Sequence, residues 1–496
     1  MSAVTMAKRP QIRVSDQVLD ESLLQRIPAA MARRLGVLLL GFEHGSARVA
    51  MRNPRDVLAQ DEVSRLLGTP VRALQADPEE LDSVLACAYR RTGEIRRLAA
   101  ALQRELEARR HGSGDATPGL DTADDAPVVQ LLENIFADAL QTGSSDVHLQ
   151  PVESGFRIRY RVDGFLSEQL VERPAIYAAV VLRLKLMAEM DISERRLPQD
   201  GRLTVDVGSE RLHVRVATMP DRHGEAVVLR IAAAPGAQMD LADLGLCTAS
   251  IRRIESVLAD PHGMIAVVGP TGSGKTTTLN ALLARLDTEN RKLITVEDPV
   301  ECRLERAVQV QVNPRIGLGF SEVLRSALRH DPDVLMVGEI RDRETAEIAT
   351  RAALTGHLVL TTVHCNDAAG CEPRLIDIGV APFMLSSALR LVIGQRLLRR
   401  VCSHCSEAWQ PTPALARWLE ELGQTPASAY RLGRGCNRCR HSGYHGRIGV
   451  YEIVEPGPHP RGTPGLLTAA LEQAAQGHTS LIEVMRVFGS PAGEEA

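Results

Sequence analysis

Met264-Ile265-Ala266-Val267-Val268 runs directly into Gly269-Pro270-Thr271-Gly272-Ser273-Gly274-Lys275-Thr276-Thr277. Five uninterrupted apolar residues predict a strand buried on both faces, and Thr277 to Leu286 carries the pattern of a helix. The turn between them has the Gly-x4-Gly-Lys-Thr spacing of a phosphate-cradling loop in the strand-loop-helix setting that the motif requires. Glycines let backbone N–H groups approach phosphate oxygens, and the following helix N-terminus favours their charge. Lys275 supplies a cation, and the Thr276 hydroxyl can ligate Mg²⁺. Lysine is scarce in this chain: of 58 basic residues, only Lys8, Lys185, Lys275 and Lys292 are lysines, so its presence in the loop is informative. From Ile251 onward, apolar strand-like runs alternate with helical stretches, which predicts a parallel sheet covered by helices.

Downstream, the strand-like Val334-Leu335-Met336-Val337 ends in Gly338-Glu339. A carboxylate there can sit beside the phosphates and organise Mg²⁺ or its waters. Glycine stands at 338, where such a strand usually ends in aspartate, and a merely solvated acidic strand end is the bland alternative.

At 496 residues the chain exceeds one ordinary core, and ~150 residues per domain predicts about three domains. Upstream, Gly36 to Leu40 and Ser46 to Met51 read as paired strands among helices, a small α/β domain. A charged helical run from Glu94 to Arg110 leads into His111 to Gly119, whose small and turn-forming residues predict a linker. Pro127 to Ala139 then reads as a helix, and Phe156 to Val162 and Leu212 to Val216 alternate as strands, giving an α+β domain that ends near Ala234. Apolar residues at 44%, charged residues at 24% and a net charge of -4 give no global attraction for nucleic acid. The N-terminus lacks a signal-like apolar segment and no ~18-residue apolar run occurs, so the chain reads as cytosolic. Nine cysteines in a reducing compartment argue for metal ligation where they cluster. They cluster as Cys402-Ser403-His404-Cys405 and Cys436-Asn437-Arg438-Cys439, two knuckles 30 residues apart that can present four thiolates to one Zn²⁺. A redox pair is the alternative, and His404 is a spare ligand.

Taken together these stretches resemble the secretion traffic ATPases: the type II secretion E protein, the pilus extension ATPase and the pilus retraction ATPase. After the phosphate loop comes Ile294-Thr-Val-Glu297-Asp298-Pro299-Val-Glu301, then Leu328 to Asp333 leading to Gly338-Glu339-Ile340-Arg341-Asp342, then Thr355-Gly356-His357 to Thr361-Thr362-Val363-His364. Ser144 to Pro151 and Leu197 to Arg202 resemble that family's second-domain signatures, with Gln150 where glutamate is usual. The tetracysteine module favours the secretion and extension branches over the retraction branch.

The resemblance implies a RecA-like core, a preceding PAS-like α+β domain, an N-terminal α/β domain and a zinc-binding tetracysteine insertion. It implies ATP and Mg²⁺ as ligands, Glu297 as general base, Glu339 organising Mg²⁺, and His364 sensing phosphate. Arg215, Arg230, Arg325 and Arg329 align with family arginines that approach phosphate. Loop-capping carboxylates, a structural histidine and surface ion pairs are the alternatives for these residues. The expected organisation is 1–95 docking on an inner-membrane platform protein, 96–123 linker, 124–235 second domain, 236–396 ATPase core, 397–452 zinc module and 453–496 a shortened helical extension. The implied assembly is a homo-oligomer, a hexamer by resemblance, acting as the cytoplasmic motor that drives pseudopilus assembly and protein export and recruited peripherally to the inner membrane. A pilus extension ATPase or a non-hydrolysing nucleotide-binding scaffold are the rival readings, and the longer signature of a cyclic di-GMP site is not evident in the first domain.

Overall fold

The computed structural model describes residues 11–88 and 126–489, except 15–16, 18–20, 25, 44, 172–173, 209, 233–238, 425–429, 437 and 458–460. The run Glu94 to Arg110 and the linker His111 to Gly119 lie outside the described residues. The chain divides into two compact units: 1–233 with segments 402–406 and 433–445, and 234–401 with 407–432 and 446–496.

In the first unit, β1 (Gln11–Ile12), β2 (Val37–Glu43), β3 (Ser46–Met51) and β4 (Val71–Ala76) form a sheet in the order β1-β4-β3-β2. The β2–β3 hairpin pairs antiparallel, and β3 runs parallel to β4. That crossover passes through the helix Val57–Leu67, started by the Asp56 side chain accepting from the Ala59 N–H and ended by Gly68 in the left-handed region at φ 67°. Its buried Ala59 and Val63 pack with Leu38, Val49 and Leu81.

Farther along this unit, β5 (Ser144–Val152), β6 (Gly155–Val162), β7 (Phe165–Val171), β8 (Gln199–Val207), β9 (Glu210–Asp221) and β10 (Gly224–Ala232) form a six-stranded antiparallel sheet ordered β7-β6-β5-β10-β9-β8. Strict alternation decides its faces: Leu212, Val214 and Val216 are buried while Arg211, His213 and Arg215 are exposed. The buried side packs on helices Ala126–Thr142 and Pro174–Met187 through Phe136, Ile158, Val180 and Leu184. Lys185, 1% exposed, has its charge matched by Glu225 at 2.9 Å, so this buried lysine is paired within the domain. Gln150 likewise has a local partner, its Oε1 accepting from Arg159 at 2.6 Å.

The second unit is built on β11 (Gly263–Val268), β12 (Leu293–Glu297), β13 (Val308–Gln311), β14 (Val334–Val337), β15 (Leu358–Val363) and β16 (Leu389–Val401), with β17 (Ser406–Trp409) and β18 (Tyr430–Gly433) forming a small ribbon. β19 (Tyr444–Glu455) and β20 (Arg461–Gly462) complete the main sheet, ordered β13-β12-β14-β15-β11-β16-β19-β20. The six strands from β13 to β16 pair in parallel. The apolar run that opened the sequence analysis has its reason here. Met264, Ala266 and Val268 enter one core with Val296 and Val337, whereas Ile265 and Val267 enter another with Leu282 and Met336. Both faces of β11 are covered, so no position is free to be polar.

Past β16, Leu398 packs with Trp418, Tyr430, Leu471 and Val484. The helix Leu481–Phe488 is held to this strand by Glu483, 0% exposed, whose carboxylate accepts from Arg399 Nε at 2.9 Å and Arg486 Nε at 2.8 Å. Thr479 Oγ1 donates to the Arg399 carbonyl at 2.8 Å, and Ser480 caps the last helix. No helix among the described residues is long and apolar enough to cross a membrane.

Candidate functional site

Because β12, β14, β15 and β11 are parallel neighbours, their carboxyl ends open onto one edge, the usual place for a ligand in such a sheet. Glu297 ends β12, Glu339 follows β14 by two residues, His364 follows β15, and the loop 269–274 follows β11. Register alone therefore brings four elements of the sequence reading to one edge.

The phosphate loop is shaped by β16. A Cβ on Gly269 would lie 2.5 Å from the Gln395 carbonyl oxygen, and one on Gly274, at φ +88°, would lie 2.8 Å from Gln395 Nε2. Only glycine fits under the strand at those two positions. Gln395 is itself 1% exposed, and its Oε1 accepts from Thr278 Oγ1 at 2.7 Å, joining β16 to the helix Lys275–Leu286. Lys275 Nζ donates to the carbonyls of Gly269 at 2.8 Å and Pro270 at 3.0 Å. Ser273 Oγ is buried with no hydrogen-bond partner among the described residues. A cradle of glycines, an orphaned hydroxyl and an ammonium fits a polyphosphate, which offers acceptors to all three.

Burial pushes the Lys275 ammonium below its ordinary value, and the Glu339 carboxylate works against that shift. Glu339 pairs with Arg341 at 2.7 Å and lies 3.4 Å from His364 Nε2. The His364 imidazole is held below its usual value, first by burial and next by the Lys275 charge, so at neutral pH it is uncharged. Glu297, 4% exposed, is pushed up by burial against the hydrogen bonds that hold its Oε1, from Thr295 Oγ1 at 2.6 Å and Gln309 Nε2 at 3.1 Å. A raised carboxyl with one oxygen already fixed has the properties of a general base.

Gly338 also has its reason. Its N–H donates to the Val296 carbonyl at 2.8 Å, and a Cβ there would come within 3.2 Å of that same oxygen. The tail of β14 thus lies tight on β12, leaving Glu339 as the carboxylate that faces Lys275.

Cys402, Cys405, Cys436 and Cys439 are all buried, with their sulfurs within 4.8 Å of one another. Three sulfur pairs measure 3.9, 3.7 and 3.7 Å. Tetrahedral Zn–S bonds of about 2.3 Å imply edges of about 3.8 Å, so the four are spaced for one zinc ion. The N–H groups of Cys436 and Gly443 donate to the Cys439 sulfur at 3.1 and 3.3 Å. With the Cys402 thiol as the main donor, these bonds hold Cys439 down to about 4. Cys402 is raised chiefly by the same contact, while burial pushes Cys405 up to about 12. His404 is turned to Arg438, whose NH1 lies 2.8 Å from its Nε2, so the sulfurs alone make up the cluster.

The family described as Type II/IV secretion system protein matches residues 121–486, well over half of the chain. The chain belongs to that family. Residues 7–95 match an MshEN domain. The chain is 39% identical to the type II secretion system protein E of Klebsiella pneumoniae, over 94% of this chain and 98% of that protein. It is 38% identical to the type II secretion system ATPase E of Vibrio cholerae, over 94% of this chain and 97% of that protein. Among solved structures, the Legionella pneumophila ATPase DotB is similar in fold, with a TM-score of 0.53 and 21% identity over 72% of this chain and 95% of that one.

Arg215 is exposed on β9, and Arg230 on β10 pairs with Asp146 at 3.0 Å. Arg325 pairs with Glu344, and Arg329 donates to the Arg325 carbonyl at 3.0 Å. His357 hydrogen-bonds the Ala352 carbonyl through its Nδ1 at 3.1 Å, a helix-ending role. Sequence reasoning missed Gln395 and Gln309. Gln395 sits 117 positions from Thr278, and no local pattern joins them.

Proposed function

We propose that this secretion-family protein hydrolyses ATP at the carboxyl edge of its parallel sheet, and that turnover drives pseudopilus assembly and protein export through a type II secretion system. The observation that carries this reading is the charge interaction of Lys275 with Glu339, which also meets His364 at 3.4 Å, at the ends of adjacent strands, with Glu297 on the next strand. The backbone N–H groups of residues 271–276 hold the phosphates, and Lys275 neutralises the β and γ oxygens. Bound Mg²⁺, held by Thr276 and Glu339, supplies further charge neutralisation. Glu297 takes the proton of the attacking water, its carboxylate oriented by the bonds from Thr295 and Gln309 to Oε1. Neutral His364 donates towards Glu339 and links the phosphate end of the site to β15. Arg215, Arg230, Arg325 and Arg329 offset the charge spread over the transferring phosphoryl group in the assembled ring, a homo-hexamer.

The four cysteines hold one Zn²⁺, whose binding contributes to folding of the module. Residues 1–95 dock on an inner-membrane platform protein and recruit the cytoplasmic motor to the membrane. The test is magnesium-dependent phosphate release by purified full-length protein, followed as a function of concentration alongside light scattering. Specific activity should rise as the ring assembles. No release by a fully assembled, zinc-replete preparation supplied with lipid and the platform protein would overturn the motor reading. Elemental analysis should find one zinc per chain, and none in reduced protein would remove that assignment.

A further inference from the structure

Two cysteines that the reaction does not use lie in the loop that leaves β15. Cys365 follows His364 directly, and Cys371 begins the helix Cys371–Ile378. The intervening chain is folded back on itself: Asp367 Oδ1 accepts from the Gly370 N–H at 2.8 Å, and the Cys371 N–H donates to the Ala368 carbonyl at 3.2 Å. As a result a Cβ on Gly370 would lie 3.5 Å from the Cys365 Cβ, so the turn carries Cys371 back beside Cys365, near enough for each thiol to shift the other's ionisation. The Cys365 thiol also meets the Asp367 carbonyl at 3.4 Å.

The two sulfurs are not equivalent. Cys365 is partly exposed and, with Pro270, Thr271 and His364, lines a cleft of about 600 Å³, whereas Cys371 is 0% exposed. The neighbouring Cys371 thiol lowers the Cys365 thiol, with the Lys275 charge acting in the same direction and burial and Asp367 opposing them. Cys371 is raised by the same contact and by burial. Among the other cysteines, Cys247 is exposed and its sulfur lies against the Ser250 hydroxyl, and burial raises Cys302. Among the described residues outside the four-sulfur cluster, Cys365 alone combines access from solvent with a second thiol beside it.

We propose that Cys365 and Cys371 form a reversible disulfide when the protein meets a hydroperoxide, with Cys365 as the attacking sulfur and Cys371 as the resolving one. The Cys365 thiolate attacks one peroxide oxygen, the O–O bond breaks, and the departing hydroxide takes a proton to become water. That leaves a sulfenic acid on Cys365. The Cys371 sulfur then attacks the Cys365 sulfur, the S–O bond breaks, and the second oxygen leaves as water with the Cys371 proton. Two thiols and one hydrogen peroxide thus give one disulfide and two waters, the two electrons passing from sulfur to oxygen. A dithiol reverses the change by exchange. Cytosolic disulfides of this transient kind are redox-sensing ones.

The bond would act on the site through the backbone. The Asn366 carbonyl accepts from Arg396 of β16 at 3.1 Å, and the Ala368 N–H donates to Glu452 at 3.1 Å. Contracting the 365–371 loop between those anchors pulls on His364, the residue that joins the loop to β15. This consequence for turnover rests on the function proposed above, whereas formation of the disulfide does not.

The test treats full-length protein with hydrogen peroxide, blocks free thiols and digests with trypsin. Cleavage after Arg351 and Arg374 gives a peptide, 352–374, that contains Cys365 and Cys371 and no other cysteine. The expected peptide has lost the mass of two hydrogens and regains it with dithiothreitol. Turnover falls about tenfold or more and recovers in parallel, the scale expected for misplacing a group beside the reaction. Cys371→Ala should stop at the sulfenic acid, with one added oxygen on Cys365, and Cys365→Ser should keep through peroxide treatment whatever turnover it starts with. Peptide 352–374 with both thiols still free, while other cysteines are oxidised, would overturn the proposal. So would a Cys365→Ser protein that loses turnover as steeply as the unaltered one. If the unaltered protein has no turnover to lose, the mass of the peptide still decides.

Discussion

The two large sheets answer to opposite rules. β9 of the antiparallel sheet alternates buried Leu212, Val214 and Val216 with exposed Arg211, His213 and Arg215, so one face builds a core and the other carries charge. β11 of the parallel sheet shows no alternation, because its odd and even residues enter two separate cores. A half-covered sheet can place functional groups along a whole face. A fully covered one can place them only where its strands end. That is why Glu297, Glu339, His364 and the loop 269–274 share an edge, and why each is followed or preceded by residues with no latitude.

The comparison is broken most severely at the edge. Lys275→Ala should lower phosphate release about 1,000-fold or more while cooperative unfolding persists, since the loss is of a charge at the phosphates. Retained turnover would mean that the edge is not the site. Glu339→Gln should bind magnesium nucleotide and turn it over about 100-fold more slowly. Single-turnover rates equal to those of the unaltered protein would remove Glu339 from the chemistry.

The stability side of the contrast comes next. Ile265→Ala, in a strand covered on both faces, should cost about 3 kcal/mol by calorimetry. Arg215→Ala, on the open face of the antiparallel sheet, should shift stability by no more than about 0.5 kcal/mol. It should nonetheless slow the assembled enzyme about tenfold, which is about 1.4 kcal/mol of barrier. A large thermal shift for Arg215→Ala would show that this face is structural. The smallest effect is in pH. Burial raises Glu297, so its carboxylate is lost at a higher pH than that of an exposed glutamate. The acid limb of the turnover profile should therefore lie above the ordinary carboxylate range, and Gln309→Ala, which removes a bond favouring the carboxylate, should move it higher still. An unmoved limb would take Glu297 out of the role of base.

Much of this was legible in the sequence because it is local. The strand-loop-helix around Lys275, the four-cysteine spacing and the alternation in β9 each lie within a few residues, and Thr295 reaches Glu297 across a single strand period. What was not legible depends on closure of the sheet. Gln395 meets Thr278 only because β16 lies beside β11, and Gln309 meets Glu297 only because β13 is the edge strand beside β12. Gly338 read as a missing aspartate when taken alone, and as a close approach once Val296 was beside it.

The packing of Trp418 against Leu398 has an optical consequence. The chain contains two tryptophans, Trp409 and Trp418, and both fall in the segment that follows β16. The phosphate loop, the parallel core and the antiparallel sheet contain none. Indole emission from this protein therefore reports on one neighbourhood, the one joined through Leu398 and Arg399 to the strand whose Gln395 shapes the phosphate loop. Excited selectively, the chain supplies its own probe at the far end of that strand, against a background free of other indoles.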